Sequence, residues 1–308
     1  MFYLAYILIG FYLIQIYMTT TDLIWGKGLI WGDGIIEFIG ATVGNSGVSG
    51  VTQQLSASGQ TAMGGCYALR LISSSYLGPI VSIRRSSDNS ISVFYSNGDG
   101  VLGQGLNGTG ASITSWLNGA TGYVAIWYDQ SAAGNNATQT NTTRQPSINV
   151  SGGYIDFTNQ TNSYLALPNG TIPYGDSAYT FVLKHGTPSS QRNGGFLGGG
   201  TWGGGSAVNA FRFAGSSYDN YWWGNDFVDG TIAANNTVTV KYTKDVSRTL
   251  YVNGVSVASQ SSSGRASTNI NNNIGVTNNN EYLNSQLYFL MIFNTDLTDA
   301  DRLLMEAV

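Results

Sequence analysis

The sequence has little charge, little glutamate and few of the residues that build most catalytic and metal centres. Of 308 residues only 10% are charged, three are glutamate (Glu37, Glu281, Glu306), one is cysteine and one is histidine. Ordinary globular chains carry about 25% charged residues. With Cys66 alone, an internal disulfide and a thiolate metal site are both excluded within one chain. His185 has no Gly-x-Ser-x-Gly element to serve, which argues against a Ser–His–Asp triad. The glycine run 194–205 is not followed by Gly-Lys-Ser/Thr and is no phosphate loop. Thirteen Lys plus Arg against seventeen Asp plus Glu leave a net charge of −4, with Arg84–Arg85 as the only basic cluster. A nucleic-acid partner needs an electropositive footprint, and this chain shows none.

What is abundant points to strands and turns. The 41 glycines stand beside many serines, threonines and asparagines, and 42% of the residues are hydrophobic. Such a composition fills a sizeable core and excludes a coiled coil, a helical bundle and a disordered chain. The fold class expected is all-β.

The N-terminus is unusual. Residues 2–18, FYLAYILIGFYLIQIYM, carry no charge. A secretory signal would need a basic leading region and a small-residue cleavage site, and neither is present. The length suits an uncleaved membrane-spanning anchor, although no Lys/Arg asymmetry orients it. The reading favoured is a segment buried among subunits of an assembly, with Phe2, Tyr3, Tyr6, Phe11, Tyr12, Tyr17, Trp25 and Trp31 as contact residues. Three six-residue units follow, LIWGKG, LIWGDG and IIEFIG over 23–40, the first two each an apolar triplet with glycine behind it and the third a looser copy that ends on Gly40. They read as short strands in a Gly/Trp arm, packed on their own domain or added to a neighbouring subunit. Residues 41–60 suit a linker. The organisation expected is an apolar segment over 1–21, arm and linker over 22–60, and one domain over 61–308.

In that domain residues 61–76 are compatible with a helix, Ala68, Leu69 and Ile72 lying on one face. Alternating runs separated by turn signals follow, from Ile80–Arg84 through Leu287–Phe293. Leu250-Tyr251-Val252 and Val255-Ser256-Val257 flank Asn253-Gly254, a strong hairpin signal. Residues 296–304 form a helix entered through an acid-rich first turn. Regular strand spacing points to a jelly-roll sandwich with short peripheral helices.

Two blocks, ALRLISSSYLGPIVSIRRSSDN (68–89) and WYDQSAAGNNATQ (127–139), resemble the catalytic domain of family 54 α-L-arabinofuranosidases, a concanavalin A-like jelly roll. The second half resembles a laminin-G-type jelly roll in YIDF (154–157), RTLYVNG (248–254) and IFNTDLTDAD (292–301). The resemblance implies two carboxyl groups for glycoside hydrolysis. It places a nucleophilic glutamate in mid-domain, beside adjacent cysteines, yet no glutamate occurs between Glu37 and Glu281. It places the acid just after an Ile-Gly segment, where this chain reads Ile274-Gly275-Val276-Thr277-Asn278-Asn279.

The expectation drawn is therefore no enzyme, but a structural subunit of an extracellular assembly, a filament or a cell or virion surface, joined to copies of itself through the N-terminus. Membrane contact through 1–21 is the other use of that segment. The alternative is a carbohydrate-binding module, in which Trp222, Trp223, Asn225, Asp226, Trp127 and Asp129 are the candidate sugar contacts. On a strand, Trp222 and Trp223 would face opposite ways, one into the core. A hydrolase with relocated carboxylates would use Asp129 or Asp226; as a structural residue Asp129 would be a turn acid at a strand end. Seven Asn-x-Ser/Thr sequons, at Asn107, Asn136, Asn141, Asn149, Asn159, Asn169 and Asn235, are acceptors if the chain is secreted. About five or six would arise from composition alone. No cofactor is expected; Asp88, Asn89, Asn97 and Asp99 offer oxygen to Ca²⁺ without forming a recognised loop.

Overall fold

The computed structural model describes Phe2–Ile9, Tyr12–Thr19, Ile30–Gly32 and Ile35–Glu37 as strands. From Leu55 onward it describes every residue except 74, 98–99, 160–161, 189–192, 202–204, 263 and 278–279. Phe11, Trp25 and Asp99 thus lie outside the described residues. The chain forms two compact units, Met1–Gly44 and Asn45–Val308.

In the first unit the charge-free run is not a helix. Phe2–Ile9 and Tyr12–Thr19 pair antiparallel, from Phe2↔Thr19 to Ile9↔Tyr12. Tyrosine and isoleucine recur through both halves and favour extended backbone. The helical anchor is corrected accordingly, and no helix among the described residues is long and apolar enough to cross a membrane. Phe2, Tyr3, Tyr6, Tyr12 and Tyr17 all fall on this hairpin, and Trp31 on a second, Ile30–Gly32 with Ile35–Glu37.

The second unit is a two-layer antiparallel sandwich, the jelly-roll-like all-β fold expected. One sheet has the spatial order Val255–Ser261, Ser247–Val252, Thr237–Thr243, Tyr179–His185, Gln286–Phe293, Met63–Ala68. The longer sheet runs Phe227–Asp229, Ser217–Tyr221, Val208–Ala214, Gly195–Gly200, Asn273–Ile274, Leu165–Ala166, Ala137–Thr138, Gly122–Trp127, Val81–Arg85, Ile91–Ser96, Leu102–Gln104. Ser147–Asn149 and Tyr154–Asp156 join the two sheets at one corner. Between the layers lies the main core, with Phe181, Leu183, Val240 and Ile292 facing Phe196, Phe211, Phe213 and Ile274.

The first sheet is buried on both faces along Tyr179–His185, Gln286–Phe293 and Met63–Ala68, while its edge strand Val255–Ser261 is largely exposed. Cys66, Val182, Phe289, Met291 and Phe293 form a second core under Leu297 and Met305 of the C-terminal segment. The helix Asp299–Glu306 covers it, with Thr298 as N-cap accepting from the Asp301 amide. Burial on both faces explains why 63–68 is a strand where a helix is expected. All six of its residues are buried. Gly64 and Gly65 weaken a helix, and the long strand Gln286–Phe293 offers a ladder partner. The Asn253-Gly254 hairpin forms as read, both residues having positive φ (51° and 84°).

Replacing Thr298 by alanine removes the cap and should cost about 1 kcal/mol, measured as a shift of the urea midpoint. Leu290→Ala, in the fully buried core, should cost about 2–5 kcal/mol by the same measurement.

Candidate functional site

The outer face of the longer sheet carries a half-open polar surface. Register places Tyr221, Ala210, Gly198, Asn273, Ala166, Thr138, Ile126 and Ser82 side by side across eight strands on that face. Small residues dominate the middle of the row and leave room above the sheet. A cleft of about 460 Å³ opens there. Its floor and walls include Asn273, Ala166, Asn169, Arg144, Tyr164 and Tyr282. The Tyr164 and Tyr282 rings lie 6.3 Å apart at 47°, and the Arg144 guanidinium sits 5.8 Å from the Tyr164 ring centre.

One wall is made by Val276, Thr277, Asn280 and Tyr282. It is held by close approach to Gly195, where a Cβ would stand 2.5 Å from the Thr277 amide nitrogen. The Gly195 amide donates to the Glu281 carbonyl at 3.0 Å, and Gly195 and Tyr282 form a bridge. Asn272, buried behind the cleft, accepts from the Ile172 amide at 2.6 Å and donates to the Ile270 carbonyl at 3.0 Å. Its role is to fix the floor rather than to meet a ligand.

Beside this wall the same face gathers two carboxylates that the linear sequence separates widely. Arg212 Nε donates to Asp219 at 2.8 Å, and its Nη1 donates to both Glu281 oxygens at 2.6 Å. The guanidinium also stacks over Tyr221 at 3.7 Å. Thr277 Oγ1 donates to Glu281 at 2.8 Å. Asp219 is fully buried, and among the described residues its second oxygen has no hydrogen-bond partner. Burial outweighs Arg212 and pushes the Asp219 carboxyl up to about 6.

The residues singled out in the sequence divide between the two faces. Trp222 is fully buried, as is Trp127, so neither presents a ring face to a sugar; both readings are corrected. Trp222 Nε1 donates to the Tyr179 hydroxyl at 3.1 Å, and the Arg248 guanidinium stacks 4.0 Å from its ring. Trp223 points the other way, half-buried on the outer face with its ring 6.0 Å from Tyr221. Asp129 is buried as a turn acid and accepts from the amides of Cys66, Ser131 and Asn135, each at 2.8 Å. That environment takes it out of contact with a sugar. Asn225 accepts from Arg248, and exposed Asp226 accepts from the Trp222 amide at 3.2 Å. His185 is buried against Tyr218 and the Gly186 carbonyl, and burial lowers it to about 4.

Of the sequon asparagines, Asn107, Asn141, Asn159, Asn169 and Asn235 are exposed, while Asn136 and Asn149 are half-buried. Asp88 accepts from Arg85 and Ser90. Among the described residues no three His, Cys, Asp or Glu side chains cluster to hold a metal ion. The cleft itself is what the sequence reasoning missed. Its best signal is the asparagine content of 271–273 and 278–280, of which only the part within 274–279 is singled out above, as the place of a family acid.

No family model matches the chain, and no curated protein matches it by sequence. Among solved structures, an arabinofuranosidase complexed with arabinofuranosyl-α-1,2-xylobiose superposes with a TM-score of 0.58 at 14% identity. The match covers 80% of this chain and 61% of that one. A family 54 α-L-arabinofuranosidase soaked with 4-nitrophenyl α-L-arabinofuranoside gives 0.54 at 14% identity, over 80% of this chain and 62% of that one. The chain shares their jelly-roll fold. It spans about three-fifths of the length of these enzymes. The expectation that the chain is no enzyme is corrected here, because the two solved structures named, which share its fold, are arabinofuranosidases, that is, glycoside hydrolases. Folding also brings Asp219, fully buried, and Glu281 to one guanidinium.

Two outcomes test this geometry. A folded-state Asp219 carboxyl above its unfolded value of 3.8 binds a proton in the folded state that the unfolded chain has already released. Stability should therefore fall as pH rises from about 4 to about 7, and Asp219→Asn should flatten that decline in urea titrations. Gly195→Val should dislodge the 275–282 segment and lower the thermal midpoint by several degrees.

Proposed function

We propose that this chain is a carbohydrate-recognising β-sandwich and that a glycan occupies the cleft over Asn273 and Ala166. The observation that carries the reading is the lining itself, in which amide side chains and two tyrosine rings meet one guanidinium. Amides both donate and accept, which suits paired sugar hydroxyls, and aromatic faces pack against the C–H side of a pyranose or furanose ring. Largely preformed concave sites with a few convergent polar groups are the usual form of a ligand site. The fold supports the reading, since the first arabinofuranosidase compared was solved with an arabinosylated xylobiose. The carboxylate nearest the cleft wall, Glu281, gives hydrolysis its candidate group.

On a glycan array the full chain should bind a restricted set of oligosaccharides. Tyr282→Ala should weaken that binding at least tenfold, about 1.4 kcal/mol. A blank array, or binding indifferent to Tyr282→Ala, overturns the reading. Turnover of a chromogenic glycoside abolished by Glu281→Gln would extend it to hydrolysis.

A second reading concerns the N-terminal unit. A charge-free hairpin of eight paired positions is marginal in water by itself and leaves two unpaired edges. We propose that it joins copies of this chain in an extracellular assembly. Light scattering should show a large species for the full chain and a monomer for residues 45–308. Equal sizes sink this second reading.

A further inference from the structure

We propose that the glycan taken by this cleft is acidic, with a uronate or sialate carboxylate that pairs with Arg144. The inference rests on the reading of the cleft as a glycan site and adds the chemical class of the sugar.

The argument is one of charge. The described residues lining the cleft are Arg144, two tyrosines, asparagines, one threonine and small or aliphatic side chains, with no aspartate or glutamate among them. The chain as a whole carries −4, and the lining of this cleft carries one positive side chain and no negative one. Arg144 is half-buried. Among the described residues its guanidinium has no carboxylate partner, whereas Arg85, Arg212 and Arg302 each hold at least one. Arg84, Arg248 and Arg265, which also lack one, donate instead to protein oxygens, and Arg70, which lacks one too, is exposed beside a different cleft. The Arg144 guanidinium lies over the Tyr164 ring. The carboxylate next to the cleft wall, Glu281, is already held by Arg212 through two contacts and by Thr277.

A neutral sugar would leave that guanidinium without a counter-charge. A carboxylate matches the planar fork of arginine with two parallel hydrogen bonds. Asn169, Asn273 and Asn280 then lie on the same cleft for the hydroxyls, and Tyr282 for the ring. The opposing interpretation gives Arg144 only a structural task, to hold Tyr164 in place. The two differ in what a change of ligand charge does.

The test uses the full chain and calorimetric titration with trigalacturonate, its methyl ester, sialyllactose and lactose. The ester keeps the shape of the acid and removes its charge. At least one acidic probe should bind tenfold or more tightly than its neutral counterpart, and which one does so separates uronate from sialate. Arg144→Gln should abolish that preference, and raising the salt to 0.5 M should shrink it. Equal binding of acid and neutral counterpart overturns the inference, as does an Arg144→Gln variant that weakens both alike. If neither acidic probe binds, the inference also falls, whatever neutral glycans the array retains. Tyr282→Ala separates the two levels of the argument. Binding lost for every ligand keeps the cleft as the site even where the charge preference fails. Binding intact in both Tyr282→Ala and Arg144→Gln removes the cleft reading and this inference together.

Discussion

The close approach of the 275–282 segment to Gly195 is the contact on which the open face depends. A side chain at Gly195 would meet the Thr277 backbone at 2.5 Å; without one, the Gly195 amide reaches the Glu281 carbonyl at 3.0 Å. Three consequences follow from that single fit. Tyr282 becomes a wall of the cleft, Glu281 reaches Arg212, and Thr277 reaches Glu281. A second glycine works from the other side. At Gly275, which has a φ of 86°, a Cβ would meet the Phe157 ring at 2.4 Å. The segment thus turns where only glycine fits and rests where only glycine fits.

The scarcity of charge takes on a spatial sense in the folded unit. Several of the few arginines lie inside rather than on the surface. Arg248 and Arg265 approach Trp222 to 4.0 and 5.5 Å, and Arg265 also stacks on Tyr179 at 4.9 Å. Their guanidinium groups donate to backbone carbonyls and amide oxygens instead of carboxylates. Burial lowers both from the ordinary arginine value, but cation–π contact and carbonyl oxygens offset part of the desolvation cost. Trp222, which in the sequence looks like a sugar platform, is the centre of this arrangement.

The two faces of the longer sheet therefore carry different chemistry from the same strands. The inner face offers Phe211, Phe213 and Asn220 to the core, and the outer face offers Ala210, Arg212, Asp219 and Tyr221. Alternation at a period of two makes this division strict. It also explains why neighbours in sequence, Trp222 and Trp223, end in unrelated environments. On the outer face small residues at the centre and large ones at the margins make a cleft without any loop having to open.

The sequence alone determined the class of fold and where many of its strands lie along the chain. Alternating runs such as Thr237–Thr243, the Asn253-Gly254 turn and the capped C-terminal helix are local signals, and each depends on residues within a few positions of one another. It failed where the deciding partner lies far along the chain. Residues 63–68 are helix-compatible until the strand Gln286–Phe293 supplies their ladder. The uncharged N-terminal run has the length of a helix, and its two halves pair instead as a hairpin. For the candidate site the difference was largest. Counting glutamates along the chain left hydrolysis without its carboxylates, and stacking rings were sought at Trp127 and Trp222. Only the tertiary structure decided that those rings are core, that Asp219 and Glu281 share Arg212, and that Arg144 faces an amide-lined cleft without a carboxylate. Burial and long-range register assign these roles, and neither is written in any short stretch of sequence.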